Sequence, residues 1–185
     1  NDSVTKIIVE EGVTALCKKA FNSLTQEFTI SLPSTLEKID GDFNNCTKLT
    51  SVTFTKAGNL KNIYAWSFSG CSALKSITLP DNAEIRIHNA AFNHCSALTS
   101  VTLGNKTTSI LGKAFSYCSS LSEIVIPASV TAIGDDSNGS AFKSNTYVDI
   151  SIALMYEATI EKFFIAHSLR TNLITSEFEV YTSQS

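Results

Sequence analysis

The chain has 185 residues, of which 43% are hydrophobic and 17% are charged. This composition excludes an intrinsically disordered chain and fits one domain with a sizeable buried core. The formal net charge of −3 argues against nucleic acid or an anionic membrane surface as the partner. No apolar run approaches the roughly 20 residues of a membrane-spanning helix. Since the sequence starts at Asn1 without the shape of a signal peptide, we expect a mature or trimmed fragment whose targeting signal is missing.

Phenylalanine recurs along the chain with a drifting period of about two dozen residues. The recurring residues are Phe21, Phe43, Phe68, Phe92, Phe115 and Phe142. In the central copies a cysteine follows three residues after the phenylalanine, and a leucine follows three residues after the cysteine. The cysteines of these copies are Cys46, Cys71, Cys95 and Cys118. Columns that stay in register through several copies predict a repeat architecture.

The copies differ in quality along the chain. The first copy, over residues 4–21, matches only in its apolar positions, and the second, over residues 28–33, has Glu27 at the leucine position. Complete copies follow over residues 43–127. We therefore predict a repeat array over residues 1–142, with about six coils of which the first two are degenerate.

The leucine-to-proline stretch of each copy predicts a β-strand. Apolar and polar residues alternate there, which is the pattern of a strand buried on one face. In one copy Leu98, Val101 and Leu103 are expected to point inward, while Ser100 and Thr102 point outward. Because no copy can bury its apolar face alone, the coils must stack into a continuous core.

The return segment of each copy supplies further inward residues. We expect these to be Leu36 and Ile39 in one copy, and Val130 and Ile133 in another. Residues 90–92 are expected to form one short helical turn, where the phenylalanine ring fills the gap between coils.

The repeat pattern Phe-x-x-Cys-x-x-Leu-x-x-(Ile/Val)-x-(Ile/Leu/Phe)-Pro resembles the BspA-type leucine-rich repeat of bacterial and protozoan surface proteins. The core columns match over residues 43–127, and looser copies extend the match to residues 4–142. The resemblance implies a leucine-rich repeat solenoid, α/β or mainly β, coiled right-handed and curved, with one parallel β-sheet. It also implies an extracellular or cell-surface location and a non-enzymatic role in protein interaction or adhesion.

The last part of the chain, residues 143–185, departs from the pattern and is predicted to form a C-terminal cap. We expect a strand over residues 147–152, an amphipathic helix over 154–169 and a final strand over 174–181. Solenoids need an atypical end piece to cover the exposed core. A separate small domain is the alternative, although no linker precedes the segment. Because the N-terminus shows no comparable cap, its first coil is expected to continue into a longer parent protein.

The repeated cysteines are predicted to be buried free thiols that serve as small hydrophobic residues. Equivalent Cβ atoms in stacked coils lie ~4.8 Å apart, which exceeds the ~3.8 Å that a disulfide prefers. A redox or metal-binding role is the alternative, but the sequence has no Cys-x-x-Cys motif. Cys17 lies outside the column, and we expect it to be buried, with a partly exposed thiol as the alternative.

No catalytic or cofactor motif is recognisable. His88, His94 and His167 are too scattered to form a ligand set or a triad, and hydrolase, metalloprotease and phosphate-binding motifs are absent. The turn that contains Asp135 and Asp136 has the composition of a calcium loop but lacks its ligand spacing, so a polar turn is the preferred interpretation. We therefore predict that the protein is not an enzyme and has no metal or cofactor.

The outward residues of the predicted strands form two columns along the sheet. One column reads Lys6, Thr29, Ser51, Ser76, Ser100 and Glu123, and the next reads Ile8, Ser31, Thr53, Thr78, Thr102 and Val125. The central coils thus present a nearly uncharged ladder of hydroxyls, which can donate and accept hydrogen bonds without desolvating charges. This pattern predicts a concave binding face for an extended partner. The alternative is that the hydroxyls only keep the sheet soluble.

Aromatic residues in the turns offer a second candidate surface. Trp66 and Tyr64 precede Phe68, while His94 and Tyr117 follow their own phenylalanines. Exposed rings at these positions can stack on sugars or anchor a protein, although Tyr64 can equally pack in the core beside Ile39 and Leu111. A protein or glycan partner is therefore expected. A structural spacer in a larger surface protein and a carbohydrate-binding module are the alternative functions.

Overall fold

The structure, a computed structural model, describes residues 4–55, 58–81, 84–134 and 140–142, and the backbone of residues 149–152. Short strands recur once or twice in each coil, and every pair of hydrogen-bonded strands is parallel within these ranges. The chain is therefore a leucine-rich repeat solenoid of parallel strands. The predicted fold class is confirmed in this respect.

The leucine-to-proline stretches form the first stack of strands, as predicted. Its members are β1 (Lys6–Ile8), β2 (Phe28–Leu32), β4 (Leu49–Phe54), β6 (Ser76–Thr78), β8 (Ser100–Thr102), β10 (Glu123–Ile126) and β12 (Asp149–Ile152). Hydrogen-bonded ladders join β1 to β2 to β4, β6 to β8, and β10 to β12. Leu98, Val101 and Leu103 are buried while Ser100 and Thr102 are exposed, so the predicted inward and outward positions are confirmed.

The return segments form a second parallel sheet in addition to the predicted one. Its strands are β3 (Lys38–Ile39), β5 (Asn62–Ile63), β7 (Arg86–Ile87), β9 (Ser109–Ile110) and β11 (Ala132–Ile133), in the order β11-β9-β7-β5-β3. Each strand contributes one isoleucine that faces the core. Four of these residues are fully buried: Ile39, Ile63, Ile87 and Ile110. Leu36 and Val130 are buried as predicted, and Ile133 is half-buried against the core.

A column of stacked phenylalanine rings runs through the turns between the two stacks. Ring centroids lie 4.9 Å apart for Phe43 and Phe68, 5.0 Å for Phe68 and Phe92, and 5.1 Å for Phe92 and Phe115. Phe21 and Phe142 continue the column at its two ends. The rings therefore fill the gap between coils, and each coil contacts its neighbours through the same residue.

Residues 90–92 form hydrogen-bonded turns, and the predicted helical turn is wrong. Ala90 has a φ of 56°, which a right-handed helix does not permit. The N–H of Phe92 donates to the carbonyl of Ala114 in the next coil at 2.8 Å, and the N–H of Phe68 donates likewise to Ala91 at 2.7 Å. The N–H groups of Ala90 and Phe92 thus donate to the next coil, whereas that of Ala91 donates to the carbonyl of His88 within its own turn.

A β-bulge corrects the assignment of Glu27 to the leucine column. In the pairing of β2 with β4, Phe28 lies opposite Leu49 but Thr29 lies opposite Ser51, so Thr50 is an extra residue. Phe28 is buried and takes the position of the leucine, whereas Glu27 is exposed. The register of the remaining pairs is unchanged.

The two ends of the array differ in how much of them is described. At the N-terminus Ile7, Val9, Leu16 and Phe21 are partly buried against the core. At the other end β12 pairs with β10 over Asp149–Ile152, in agreement with the strand expected there. The expected helix over 154–169 and strand over 174–181 lie outside the described residues. The division into an array of residues 1–142 and a cap of residues 143–185 stays a prediction.

Candidate interaction surfaces

The observed strand registers align the outward hydroxyls within each hydrogen-bonded group of strands. Thr29 pairs with Lys6 and Ser51, Ser31 with Ile8 and Thr53, Ser76 with Ser100, and Thr78 with Thr102. We call this surface the hydroxyl face, formed by Thr29, Ser31, Ser51, Thr53, Ser76, Thr78, Ser100 and Thr102. Its central members Ser76, Thr78, Ser100 and Thr102 are all exposed. The two columns derived from the sequence therefore match the geometry within each hydrogen-bonded group of strands.

The central hydroxyls of this face are available to form hydrogen bonds with solvent or with a partner. Within the described part of the chain, the hydroxyls of Ser76, Thr78, Ser100 and Thr102 bond to no other protein group, whereas Thr53 donates to the carbonyl of Ile30 at 3.4 Å. A serine or threonine hydroxyl supplies one donor and two acceptor lone pairs. The face can therefore exchange water for the polar groups of a partner without first breaking bonds within the protein.

Charged and apolar residues lie towards the ends of the same columns. At one end Lys6 and Ile8 lie on β1, and Ile8 is 56% exposed. Towards the other end Glu123 and Val125, which is 50% exposed, pair with Asp149 and Ser151 of β12. Opposite charges and two exposed apolar side chains thus border a neutral centre. A partner that crosses the coils would meet a different chemistry at each end.

The aromatic turn candidates lie on a second surface, which we call the turn edge. It is formed by two columns of left-handed backbone, located two residues before and two residues after each stacked phenylalanine. The first column contains Lys19, Gly41, Trp66, Ala90 and Lys113, and the second contains Asn45, Gly70, His94 and Tyr117; φ lies between 56° and 77° at all of these residues. Trp66 is 52% exposed and Tyr117 is 44% exposed.

Two of the predicted aromatic candidates contact each other. The rings of His94 and Tyr117 are stacked with their centroids 4.3 Å apart and their planes inclined by 2°. Both residues are exposed. The structure therefore brings His94 and Tyr117 together in one column, while Trp66 lies in the other column of the same turn edge.

The expected neighbours of Tyr64 need correction. Ile39 pairs with Ile63, so Tyr64 occupies the position that Asp40 has in the preceding coil. The Tyr64 ring contacts the ring of His88 at a centroid distance of 4.8 Å. Phe43 follows Ile39 by four residues, whereas Phe68 follows Ile63 by five. A position defined by its distance from the phenylalanine therefore matches Tyr64 with Ile39 when its true equivalent is Asp40. Tyr64 is half-buried on the outside of the second sheet.

The contact between Tyr64 and His88 was missed by the sequence analysis. His88 Nε2 lies 3.0 Å from the side-chain oxygen of Asn62. Burial lowers the pKa of His88, and the positive charge of Arg86 lowers it further. The histidine is therefore held neutral as part of the packing of the second sheet.

The repeated cysteines are confirmed as buried free thiols. Burial raises the pKa of Cys46 to about 12 and raises that of Cys71 further, with a smaller contribution from Cys46. The pKa of Cys95 is raised by its hydrogen bond with Cys118 and by burial. Thiols held in the protonated form are poor nucleophiles and poor metal ligands.

Cys17 is exposed, and the expectation that it is buried is wrong. The first coil covers its turn less completely than the central coils do, because Lys18, Lys19 and Ala20 around it are also exposed. Among the described residues, no group of three or more histidine, cysteine or acidic side chains could hold a metal ion. The turn with Asp135 and Asp136 lies outside those residues.

The family is shown by comparison with known proteins. The model of the BspA-type leucine-rich repeat region matches residues 1–85 and 83–181 with six copies. The chain belongs to this family. A search of curated proteins gave no match.

Solved structures of bacterial leucine-rich repeat proteins share the fold. The pneumococcal vaccine antigen PcpA aligns with a TM-score of 0.70 and 21% identity, over 85% of this chain and 42% of that chain. A leucine-rich repeat protein of T. pallidum, TpLRR, aligns with a TM-score of 0.62 and 20% identity, over 97% of this chain and 88% of that chain. A leucine-rich cell surface protein of Faecalibacterium prausnitzii has a TM-score of 0.50 and 25% identity, over 81% and 48%. The chain thus spans less than half of two of these relatives.

Membership of this family agrees with the lack of catalytic motifs in the sequence, since leucine-rich repeats are scaffolds for interaction. Within the described ranges, the protein has no helix that is long and apolar enough to cross a bilayer.

Proposed function

We propose that this chain is a non-enzymatic protein-interaction module of a cell-surface or secreted protein, and that it binds an extended protein segment across the hydroxyl face. The observation that carries the proposal is the row of solvent-directed hydroxyls on Ser76, Thr78, Ser100 and Thr102, which are in register on neighbouring strands. Their spacing of ~4.8 Å between strands repeats along the solenoid. A surface of this kind suits a partner with regularly spaced polar groups.

Membership of the BspA-type family supports the proposed location and adhesive role. Solved structures with this fold include a pneumococcal vaccine antigen and a leucine-rich cell surface protein. The neutral centre of the face favours a partner that is recognised by hydrogen bonds more than by charge. Such an interface buries little charge and is expected to depend weakly on salt.

The test is a binding screen of the chain against immobilised matrix proteins and host-cell surfaces. The informative variant changes Ser76, Thr78 and Ser100 to Glu, which places three carboxylates in the centre of the face. A matched control changes Asn59, Asn105 and Ala132 to Glu, because these residues are exposed but lie outside the hydroxyl face. We expect the first variant to lose binding and the control to retain it.

Two results would contradict the proposal. Equal binding by both variants would place recognition elsewhere on the protein. No binding to any protein surface, by a chain that is folded, would favour the structural spacer.

A further inference from the structure

The turn edge uses a backbone conformation that most residues avoid. A φ near +60° is adopted readily by Gly and Asn but is uncommon for large side chains. Gly41, Gly70 and Asn45 suit this conformation, and His94 is of a residue type that is enriched in it. The large rings of Trp66 and Tyr117 do not favour it, and neither do Lys19, Ala90 and Lys113 in the first column. Residues held in sparsely populated conformations cluster at ligand-binding sites, where the strain is retained for function.

Packing in the core does not explain the choice of Trp66. Trp66 is 52% exposed, and the equivalent residues in the neighbouring coils are Gly41 and Ala90, neither of which has a side chain longer than a methyl group. The neighbouring positions of the column therefore supply no ring or long side chain that could pack on the indole. A tryptophan that contributed mainly to the core would be buried, as Phe68 is two residues later.

The segments that carry the rings are polar and uncharged, although Lys19 and Lys113 lie in the first column of the same edge. The positions two residues after the second column carry exposed hydroxyls: Thr47, Ser72, Ser96 and Ser119. The Asn44 side-chain amide donates to the Trp66 carbonyl at 3.2 Å, and the Asn45 amide donates to the Asn44 side-chain oxygen at 2.8 Å. Residues 66–74, 89–105 and 114–122 contain no acidic or basic side chain apart from His94.

We propose that the part of the turn edge that carries Trp66, His94 and Tyr117 is a glycan-binding site, in which Trp66 and the stacked pair of His94 and Tyr117 contact the sugar rings of a neutral hexopyranose chain. Flat aromatic faces complement the C–H face of a pyranose ring, and the amides and hydroxyls beside them complement its hydroxyl groups. The site is independent of the hydroxyl face because it shares none of its residues.

The experiment uses the only tryptophan of the chain as its reporter, because Trp66 lies within the proposed site. The 185-residue chain is titrated with the hexasaccharides of β-1,4-glucose, β-1,3-glucose, β-1,4-mannose and β-1,4-N-acetylglucosamine, while tryptophan emission is followed. We expect a saturable shift of the emission with at least one of these probes. His94→Asn and Tyr117→Asn are each expected to weaken that binding by about tenfold or more.

Trp66→Asn removes the reporter, so its binding is measured by retardation in native gels that contain the matching polysaccharide. Asn suits the left-handed backbone, as Asn45 shows in the other column, and the melting temperature of this variant should not fall below that of the parent. Lys19→Asn is the matched control, since Lys19 is exposed and has a φ of 59° in the same column. Retardation should be lost in Trp66→Asn and kept in Lys19→Asn.

The proposal is overturned if no probe gives a saturable shift, or if the asparagine variants bind as the parent does. It is also overturned if Lys19→Asn loses binding to the same extent, or if the turn-edge variants lose only a protein partner. The variant with Ser76, Thr78 and Ser100 changed to Glu should keep its glycan binding. This result separates a failure of the glycan site from a failure of the hydroxyl face.

Discussion

The thiol of Cys95 donates a hydrogen bond to the carbonyl oxygen of Phe68 one coil earlier, with a distance of 3.1 Å between sulfur and oxygen. The same relationship joins Cys71 to Phe43 at 3.1 Å and Cys118 to Phe92 at 3.2 Å. Each carbonyl also accepts the backbone N–H of the cysteine in its own coil. Cysteine thus combines the volume of a small apolar residue with a weak donor, which explains its use in place of alanine or valine.

The first prediction concerns the accessibility of these thiols. In the native protein we expect a thiol reagent to label Cys17 quickly and the four column cysteines slowly, because burial excludes the reagent and raises the pKa of Cys46 and Cys71. All five cysteines should react in denaturant. Mass spectrometry of the labelled peptides gives the sites, and rapid native labelling of Cys95 or thiols that appear only after reduction would contradict the cysteine column.

The second prediction concerns the phenylalanine column. Phe92 is fully buried between Phe68 and Phe115, so Phe92→Ala should lower the free energy of unfolding by about 3–5 kcal/mol. Phe21→Ala should cost clearly less, because Phe21 is only partly buried at the end of the column. Urea denaturation measures both values. Equal losses for the two variants would mean that the column does not act through contacts between neighbouring coils.

The third prediction separates backbone strain from steric conflict at two glycines. A Cβ added at Gly104 would collide with the backbone carbonyl of Pro80, whereas a Cβ at Gly41 meets no atom within 4 Å. Gly41 has a φ of 72°, so Gly41→Ala should cost about 1–2 kcal/mol through the backbone alone. We expect Gly104→Ala to destabilise the protein more than Gly41→Ala does. Thermal unfolding of the two variants tests the order, and the reverse order would show that the coils can separate locally without loss.

The fourth prediction concerns pH. The pKa of His88 is lowered in the folded protein by burial and by Arg86, so the unfolded chain binds the proton more readily. The free energy of unfolding should therefore fall as the pH drops below the ordinary histidine value of 6.5 towards the lowered pKa of the folded state. His88→Asn should reduce this slope between about pH 5 and 7. An unchanged slope in denaturation curves of the variant would assign the pH dependence to other groups.

The sequence predicts the structure of a coil well because the residues that repeat are those that pack in the core. Phe92, Cys95 and Leu98 recur in every central copy and are all buried, and the alternation around Val101 sets the hydroxyl face. The second sheet escapes prediction, since two-residue strands such as Arg86–Ile87 are too short to show an alternation. The bulge at Thr50 shows in the sequence only as a misaligned second copy, because one residue separates Phe28 from Ile30 where the complete copies have two.

The turn edge shows why part of the candidate site could not be predicted. Trp66 and Tyr117 were recognised as candidates by their residue type, but nothing in their sequence context marks a left-handed backbone, which is usually indicated by Gly or Asn. The stacking of His94 on Tyr117 depends on the register between coils. Features that arise from the pairing of neighbouring coils become visible only in three dimensions.

The bulge at Thr50 has a consequence for how such proteins change during evolution. The pairs that follow it keep the same alignment, so β2, which is one residue shorter than the regular repeat, pairs with β4 without moving the outward hydroxyls of Ser51 and Thr53. Duplication of a whole coil would likewise preserve every column, because each coil contacts only its neighbours. Lineages can therefore lengthen or shorten the array and vary its loops independently, which lets reach and binding preference diversify separately.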